Sequence, residues 1–203
     1  MAIKVIYGLR ELETLRIYLS NMILSDKTIH EYIQAGKITI FPDFHEKDIR
    51  PAGIRLHLGS DLLIPHDNQT IDFAYGEDLL FDKVNIIEEP YTLQPGEFVL
   101  GSTYERFQVP RNIVCHVDGR STVARVGLAI HCTSGIIDGN FEEARSVVLE
   151  IKNQGPFAIV LRHKIPLAML SFTQLTTDIH QKTQTMYQGQ EGVMPPNLKM
   201  QLQ

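Results

Sequence analysis

Two cysteines in 203 residues leave no room for a disulfide framework. Long basic tracts are also missing, and the formal net charge is −5, so the chain carries no electrostatic footprint for duplex nucleic acid. A free nucleotide needs only a few local arginines and stays within reach of such a composition. Apolar residues make up 43% of the chain, but no run of them is long enough to cross a bilayer. The opening Met1-Ala-Ile-Lys-Val-Ile-Tyr-Gly-Leu-Arg10 has no signal-peptide core, and a cytoplasmic location is expected, with no membrane and no nucleic-acid partner. Internal repeats and low-complexity segments are absent.

What remains is a chain of short apolar stretches cut by Gly, Pro, Asn and Asp. Leu56 to Leu58, Leu62 to Ile64, Phe98 to Leu100, Ile113 to Val117, Ala129 to His131, Val147 to Ile151, Ala158 to Leu161 and Ala168 to Phe172 read as strands. Many short strands with turn signals between them predict a mainly β domain, a sandwich, jelly roll or barrel. A helix is expected after Ser25, with Ile29, Tyr32 and Ile33 on one face and Gly36 at its end, followed by a strand over Lys37 to Phe41 that Pro42 stops. Residues 1–21 read as an N-terminal extension with helical spacing over Leu9 to Leu19, residues 22–175 as the β domain, and the Thr-, Gln- and Gly-rich stretch 176–203 as a lid or tail.

Within the β domain the stretch Cys115 to Asp138 stands out, because polar residues of particular types interrupt a strand-forming background. Gly119 suggests a turn, and Arg120, Ser121 and Thr122 after it offer a guanidinium fork and two hydroxyls that suit a phosphate. A helix beginning at Ser121 would aim backbone N–H groups at an anion and set Arg125 little more than a turn beyond Arg120. Two carboxylates close apolar runs nearby, Asp138 after Ile136-Ile137 and Glu150 after Val147-Val-Leu149. A carboxylate in that position needs a partner or a proton, conditions under which its pKa moves toward neutrality. Each residue also has a plain structural reading: Glu150 as a surface strand end, Arg125 as its salt-bridge partner, Asp138 as a turn residue before Gly139. Cys115-His116 and His131-Cys132 count out to a possible Cys₂His₂ zinc site, but neighbours on a strand point to opposite faces, and no zinc is expected.

Taken together, Gly119-Arg-Ser-Thr-Val-Ala-Arg-Val-Gly-Leu128, Ile137-Asp138 and Val148-Leu-Glu150 resemble the dCTP deaminase family, nucleotide deaminases built on the trimeric dUTPase fold. Met22 to Ile33, Leu93-Gln-Pro-Gly-Glu-Phe-Val-Leu100 and Tyr187-Gln-Gly-Gln-Glu-Gly192 are similar to its opening helix, central strand and C-terminal lid. The resemblance implies a distorted jelly roll, a homotrimer with active sites shared between subunits, and dCTP or dUTP as ligand. Glu150 would be the catalytic glutamate, taking a proton from water that attacks C4 of cytosine. Ser121 and Arg125 would organise that water and the glutamate, Arg120 and Thr122 would line the phosphates, and Val123 and Ala124 complete that binding segment. Asp138 would stand beside the deoxyribose, Val148 and Leu149 would offer backbone contacts, and Gln190 would reach the phosphates from the lid. Mg2+ would accompany the triphosphate, held mainly by its oxygens and water. The His-x-Glu and Pro-Cys-x-x-Cys motifs of zinc nucleobase deaminases are missing.

Some positions depart from the family pattern. Ser134-Gly-Ile136 replaces a segment in which monofunctional deaminases carry an arginine, and is closer to bifunctional deaminase–diphosphatases and to dUTPases. Arg55 stands where an aspartate is usual and His57 where an arginine is usual; Met186 replaces a lysine of the lid, and the usual Pro-Tyr-Gly is replaced near Ile179-His180. Three activities therefore stay open: dCTP deamination through Glu150, dUTP diphosphatase activity through Asp138, and nucleotide binding without turnover.

Overall fold

A computed structural model describes residues 22–42, 44–76, 78–137, 143–180, 187 and 190–199. The expected helical extension 1–21, Asp138 with the loop that follows it, and Met186 lie outside the described residues.

The first helix among the described residues is α1 (Asp26–Gln34), for the reasons the sequence gives. Ser25 sits in an extended conformation and its hydroxyl accepts from Thr28 N, Asp26 lies in the first turn, and Ile29 is buried against the sheets. Gly36, at φ +65°, ends it. The strands β1 (Thr39–Phe41), β2 (Ile49–Arg50), β3 (Gly53–His57), β4 (Asp61–Pro65), β5 (Phe81–Asn85), β6 (Tyr91–Leu93), β7 (Phe98–Ser102), β8 (Arg106–Gln108) and β9 (Ile113–Gly119) follow. After the short helix α2 (Ser121–Arg125) come β10 (Leu128–Ala129), β11 (Ile136–Ile137), β12 (Val148–Asn153), β13 (Ile159–Leu161) and β14 (Pro166–Gln174).

Two five-stranded sheets carry the fold, in the orders β10-β12-β7-β4-β5 and β11-β9-β14-β3-β2, and the pairs β1-β8 and β13-β6 flank them. All these pairings are antiparallel. Alternation decides which side chains meet between the sheets. Ile113, Cys115 and Val117 of β9, Ile54 and Leu56 of β3, and Leu170 and Phe172 of β14 come from one sheet. From the other, Leu149 and Ile151 of β12, Val99 of β7 and Leu62 of β4 join the same hydrophobic cluster. The fold is mainly β, as expected.

Two details position the site. Gly127, at φ +79°, turns the chain from α2 into β10, and a Cβ there would lie 2.6 Å from Gly155 Cα, so only glycine fits against the loop after β12. Asn153 at the end of β12 is fully buried, donates to the carbonyls of Leu93 and Phe157 at 3.2 and 2.7 Å, and accepts from Gly155 N at 3.1 Å. Together they fix β12 along its length.

Candidate active site

Strand β12 alternates cleanly: Leu149, Ile151 and Asn153 are buried, whereas Val148, Glu150 and Lys152 are half-exposed on the opposite face. Glu150 is thereby held on a rigid strand, opposite Leu100 of β7 in the register. Its Oε2 accepts the Cys132 backbone N–H at 3.2 Å, and its own carbonyl is 3.8 Å from Cys132 Sγ. Glu150 is therefore inside the strand and not at its end, and the partner its carboxylate finds is a main-chain amide. Among the described residues no ion pair joins Glu150 to Arg125, so the plain salt-bridge reading of those two does not describe this chain.

Glu150 faces a cavity of about 680 Å³. Phe81, Leu100, Ser134, Ile136, Arg145 and Val148 contribute to its lining. The described part of the C-terminal segment also lines it, through Tyr187, Gln190, Met194, Pro195 and Pro196. That segment is tied down on the same chain. Gln190 is buried, Gly192 N donates to Ser146 Oγ at 2.9 Å, Arg106 pairs with Glu191 at 2.5 Å and Lys199 with Asp78 at 2.5 Å. Asn197 N donates to the Tyr187 hydroxyl at 3.2 Å, which folds the segment back on itself.

The structure gathers Glu150, Val148 and Gln190 at one cavity. Leu149 is adjacent, but its side chain is in the core, so only its backbone can serve a ligand. Ser121, Thr122, Ala124 and Arg125 do not line this cavity; they are exposed on α2, while Val123 is buried and anchors the helix. The helix does begin at Ser121, with Arg120 as its extended N-cap. Arg120 is half-buried and donates from Nη1 to Pro166 O at 2.6 Å. Desolvation first, then the charges of Arg55 and Arg50, lower its pKa, against the opposing pull of Asp48. In one chain the arginines of Arg120–Arg125 and the cavity at Glu150 are thus separate features.

Two expectations are corrected. Gly119 does not occupy the left-handed region and ends β9 as ordinary strand; a Cβ there would meet Ile130 Cγ1 at 3.6 Å, an ordinary contact. The turn that needs glycine comes at Gly127 instead. The strand expected over Ala129 to His131 is also shorter, stopping at Ala129, because the chain leaves the sheet to bring Cys132 N to Glu150.

Reasoning from side-chain types missed Cys132, whose contribution is a backbone donor. Its thiol is pushed up, by burial first and then by the Glu150 charge, with Lys152 opposing. Cys115 is at the centre of the core and burial raises its thiol far more. Among the described residues no group of three or more His, Cys, Asp or Glu side chains converges to hold a metal.

Comparisons with known proteins bear on the family and the fold. The model of the dCTP deaminase-like family matches residues 23–175. A "dCTP deaminase, dUMP-forming" of Methanosphaera stadtmanae is 32% identical over 192 residues, which cover 87% of this chain and 94% of that protein. A "dCTP deaminase" of Haloarcula marismortui is 34% identical over 181 residues, covering 84% and 92%. The crystal structure of a 2'-deoxycytidine 5'-triphosphate deaminase from Agrobacterium tumefaciens superposes with a TM-score of 0.60 at 18% identity, over 76% of this chain and 49% of that one. This chain thus spans about half of that structure's length, and the likeness is one of fold.

Proposed function

The chain belongs to the dCTP deaminase-like family, and from that premise we propose that it hydrolyses dCTP to dUTP and ammonia, with Glu150 as the proton-transferring residue. The observation that carries the reading is the Glu150 carboxylate, held by the Cys132 N–H on a rigid strand and facing a cavity of about 680 Å³. Glu150 takes a proton from a water that adds to C4 of cytosine, delivers it to N3, and passes the water's second proton to the departing amine. The C4–N bond breaks, ammonia leaves, and the base remains as uracil.

Ser121 and Arg125 are exposed and away from this cavity in one chain, which supports a site completed by a second copy in a homotrimer. In that arrangement the Ser121 hydroxyl and the Arg125 guanidinium of one subunit orient the water and the carboxylate of another, while Arg120 and Thr122 meet the phosphates. Asp138 takes the deoxyribose, and the backbone of Val148 and Leu149 the base. The segment from Tyr187 to Lys199 acts as the lid: Gln190, already buried at the cavity, reaches the phosphates and excludes water. Mg2+ would accompany the triphosphate, held by its oxygens and water, and would supply charge neutralisation there.

A second activity, release of pyrophosphate from dUTP, is favoured by a specific observation. Ile136, an exposed apolar residue, lines the Glu150 cavity in the segment where monofunctional members carry an arginine. The dUMP-forming relative at 32% identity supports the same reading. The test incubates protein and Mg2+ with dCTP and separately with dUTP, resolving nucleotides and assaying ammonia and pyrophosphate. Ammonia from dCTP establishes deamination, and dUMP with pyrophosphate establishes the second step. A Glu150→Gln protein that deaminates at the parental rate sinks the assignment of Glu150.

A further inference from the structure

We infer that Arg55 and Arg50 join Arg120 to form a three-guanidinium site for a polyphosphate chain, so that Arg55 and Arg50 are phosphate ligands of this protein. The inference rests on the reading of Arg120 as a phosphate contact and extends it to two residues that the family pattern does not supply. At position 55 that pattern has an aspartate, so the change to arginine reverses the local charge.

The sheet brings the three together. Arg55 of β3 pairs with Met169 of β14, and Met169 pairs with Asp118 of β9, two residues before Arg120. Arg50 lies on the adjoining β2, opposite Gly53. Strands β3 and β9 are two spacings apart, about 9.6 Å. Two extended arginine side chains span that distance, and Arg120 already leans toward β3: its Nη1 bonds to Pro166 O, and Pro166 pairs with His57. Ile54 and Leu56 point into the core, so Arg55 and His57 share the opposite face.

The carboxylates near this face are already engaged. Glu105 is buried and spends both oxygens on His57, accepting its backbone N–H at 2.9 Å and meeting its ring Nδ1 at 2.5 Å. Asp118 accepts the Gly119 N–H at 2.6 Å and stands 3.4 Å from His131. That leaves buried Asp48, whose Oδ1 lies 3.4 Å from Arg55 Nη1 and 4.0 Å from His57 Nε2 without a hydrogen bond to either. Asp48 thus forms an ion pair with Arg55, and its charge is also felt at Arg120. Among the described residues Arg55 Nε is buried without a hydrogen-bond partner, Arg50 is exposed with no side-chain hydrogen bond or ion pair, and Arg120 uses one donor. An anion with several oxygens in a row satisfies these open donors, and a guanidinium fork suits phosphate geometry. The charge of Arg55 and Arg50 is felt at Arg120, whose proton affinity is lowered by both.

The experiment titrates the full-length protein with inorganic tripolyphosphate, with dCTP and with dCMP by calorimetry at two salt concentrations. Variants Arg55→Gln, Arg50→Gln and Arg120→Gln are titrated alongside. The parental protein is expected to bind tripolyphosphate in a salt-sensitive manner and dCTP far better than dCMP. Loss of Arg55 is expected to weaken tripolyphosphate and dCTP roughly tenfold to a hundredfold, as removal of one charge-assisted bond does. Loss of exposed Arg50, which makes no side-chain hydrogen bond or ion pair among the described residues, is expected to weaken them severalfold, and it carries the test if Arg55→Gln does not fold. Unchanged affinity in both variants, with binding lost in Arg120→Gln, overturns the inference and leaves the phosphate reading of Arg120 standing. No tripolyphosphate binding by the parental protein overturns both.

Discussion

Replacing Gly127 by alanine tests the packing that delivers Cys132 to Glu150. The residue sits at φ +79°, where a Cβ costs about 1–2 kcal/mol. The added carbon would also lie 2.6 Å from both Cα and N of Gly155, backbone atoms that cannot rotate away. Relieving such an overlap costs about 1–3 kcal/mol. The sum centres at about 3.5 kcal/mol, which for a chain of this size lowers Tm by roughly 7–14 °C. The backbone bond from Gln154 N to Gly127 O, 2.8 Å long, is strained by the same shift. Gly36→Ala is the control: its φ is +65° but nothing lies within 4 Å of the added carbon, so only the conformational cost applies. Thermal unfolding by circular dichroism at fixed protein concentration compares the two. Equal losses for Gly127→Ala and Gly36→Ala would refute the close approach of the two loops as the reason for glycine at 127.

Three other outcomes follow from the same geometry. Cys132 should react with iodoacetamide slowly at neutral pH, its rate still climbing above the pH at which an ordinary thiol levels off, because burial and the Glu150 charge raise its pKa. Glu150→Gln removes the second cause and should move that profile to lower pH; an unmoved profile would mean that the two groups do not interact. Cys115, fully buried, should label only on unfolding. Asn153→Ala strands the carbonyls of Leu93 and Phe157 and the Gly155 N–H, and should cost about 2–4 kcal/mol in denaturant titration.

Much of the framework is legible in the residues, for reasons that also explain what is not. Strands β9, β12 and β14 carry continuous or alternating apolar residues because both sheets bury one face, and Ser25 and Gly36 mark the ends of α1 by capping chemistry. Strand β5, Phe81-Asp-Lys-Val-Asn85, is an edge strand with little to bury, and β8 has Phe107 as its buried anchor, so neither shows a pattern. In the site, Glu150 is recognisable because a carboxylate interrupts an apolar run. The amide of Cys132 that holds it leaves no side-chain signal. The link from His57 to Glu105 spans 48 residues and depends on the fold alone. Gly119 suggested a turn from its neighbours, yet the backbone there is plain strand, since local composition does not determine φ.

The central claim is that Glu150 moves the protons of a deamination. Purified protein and its Glu150→Gln variant, matched for folding and for dCTP binding, are incubated with dCTP and Mg2+ and assayed for ammonia. The account predicts ammonia in proportion to deoxyuridine nucleotide from the parental protein and none above background from the variant. Ammonia from both at the same rate, or from neither while dCTP binds, would contradict it.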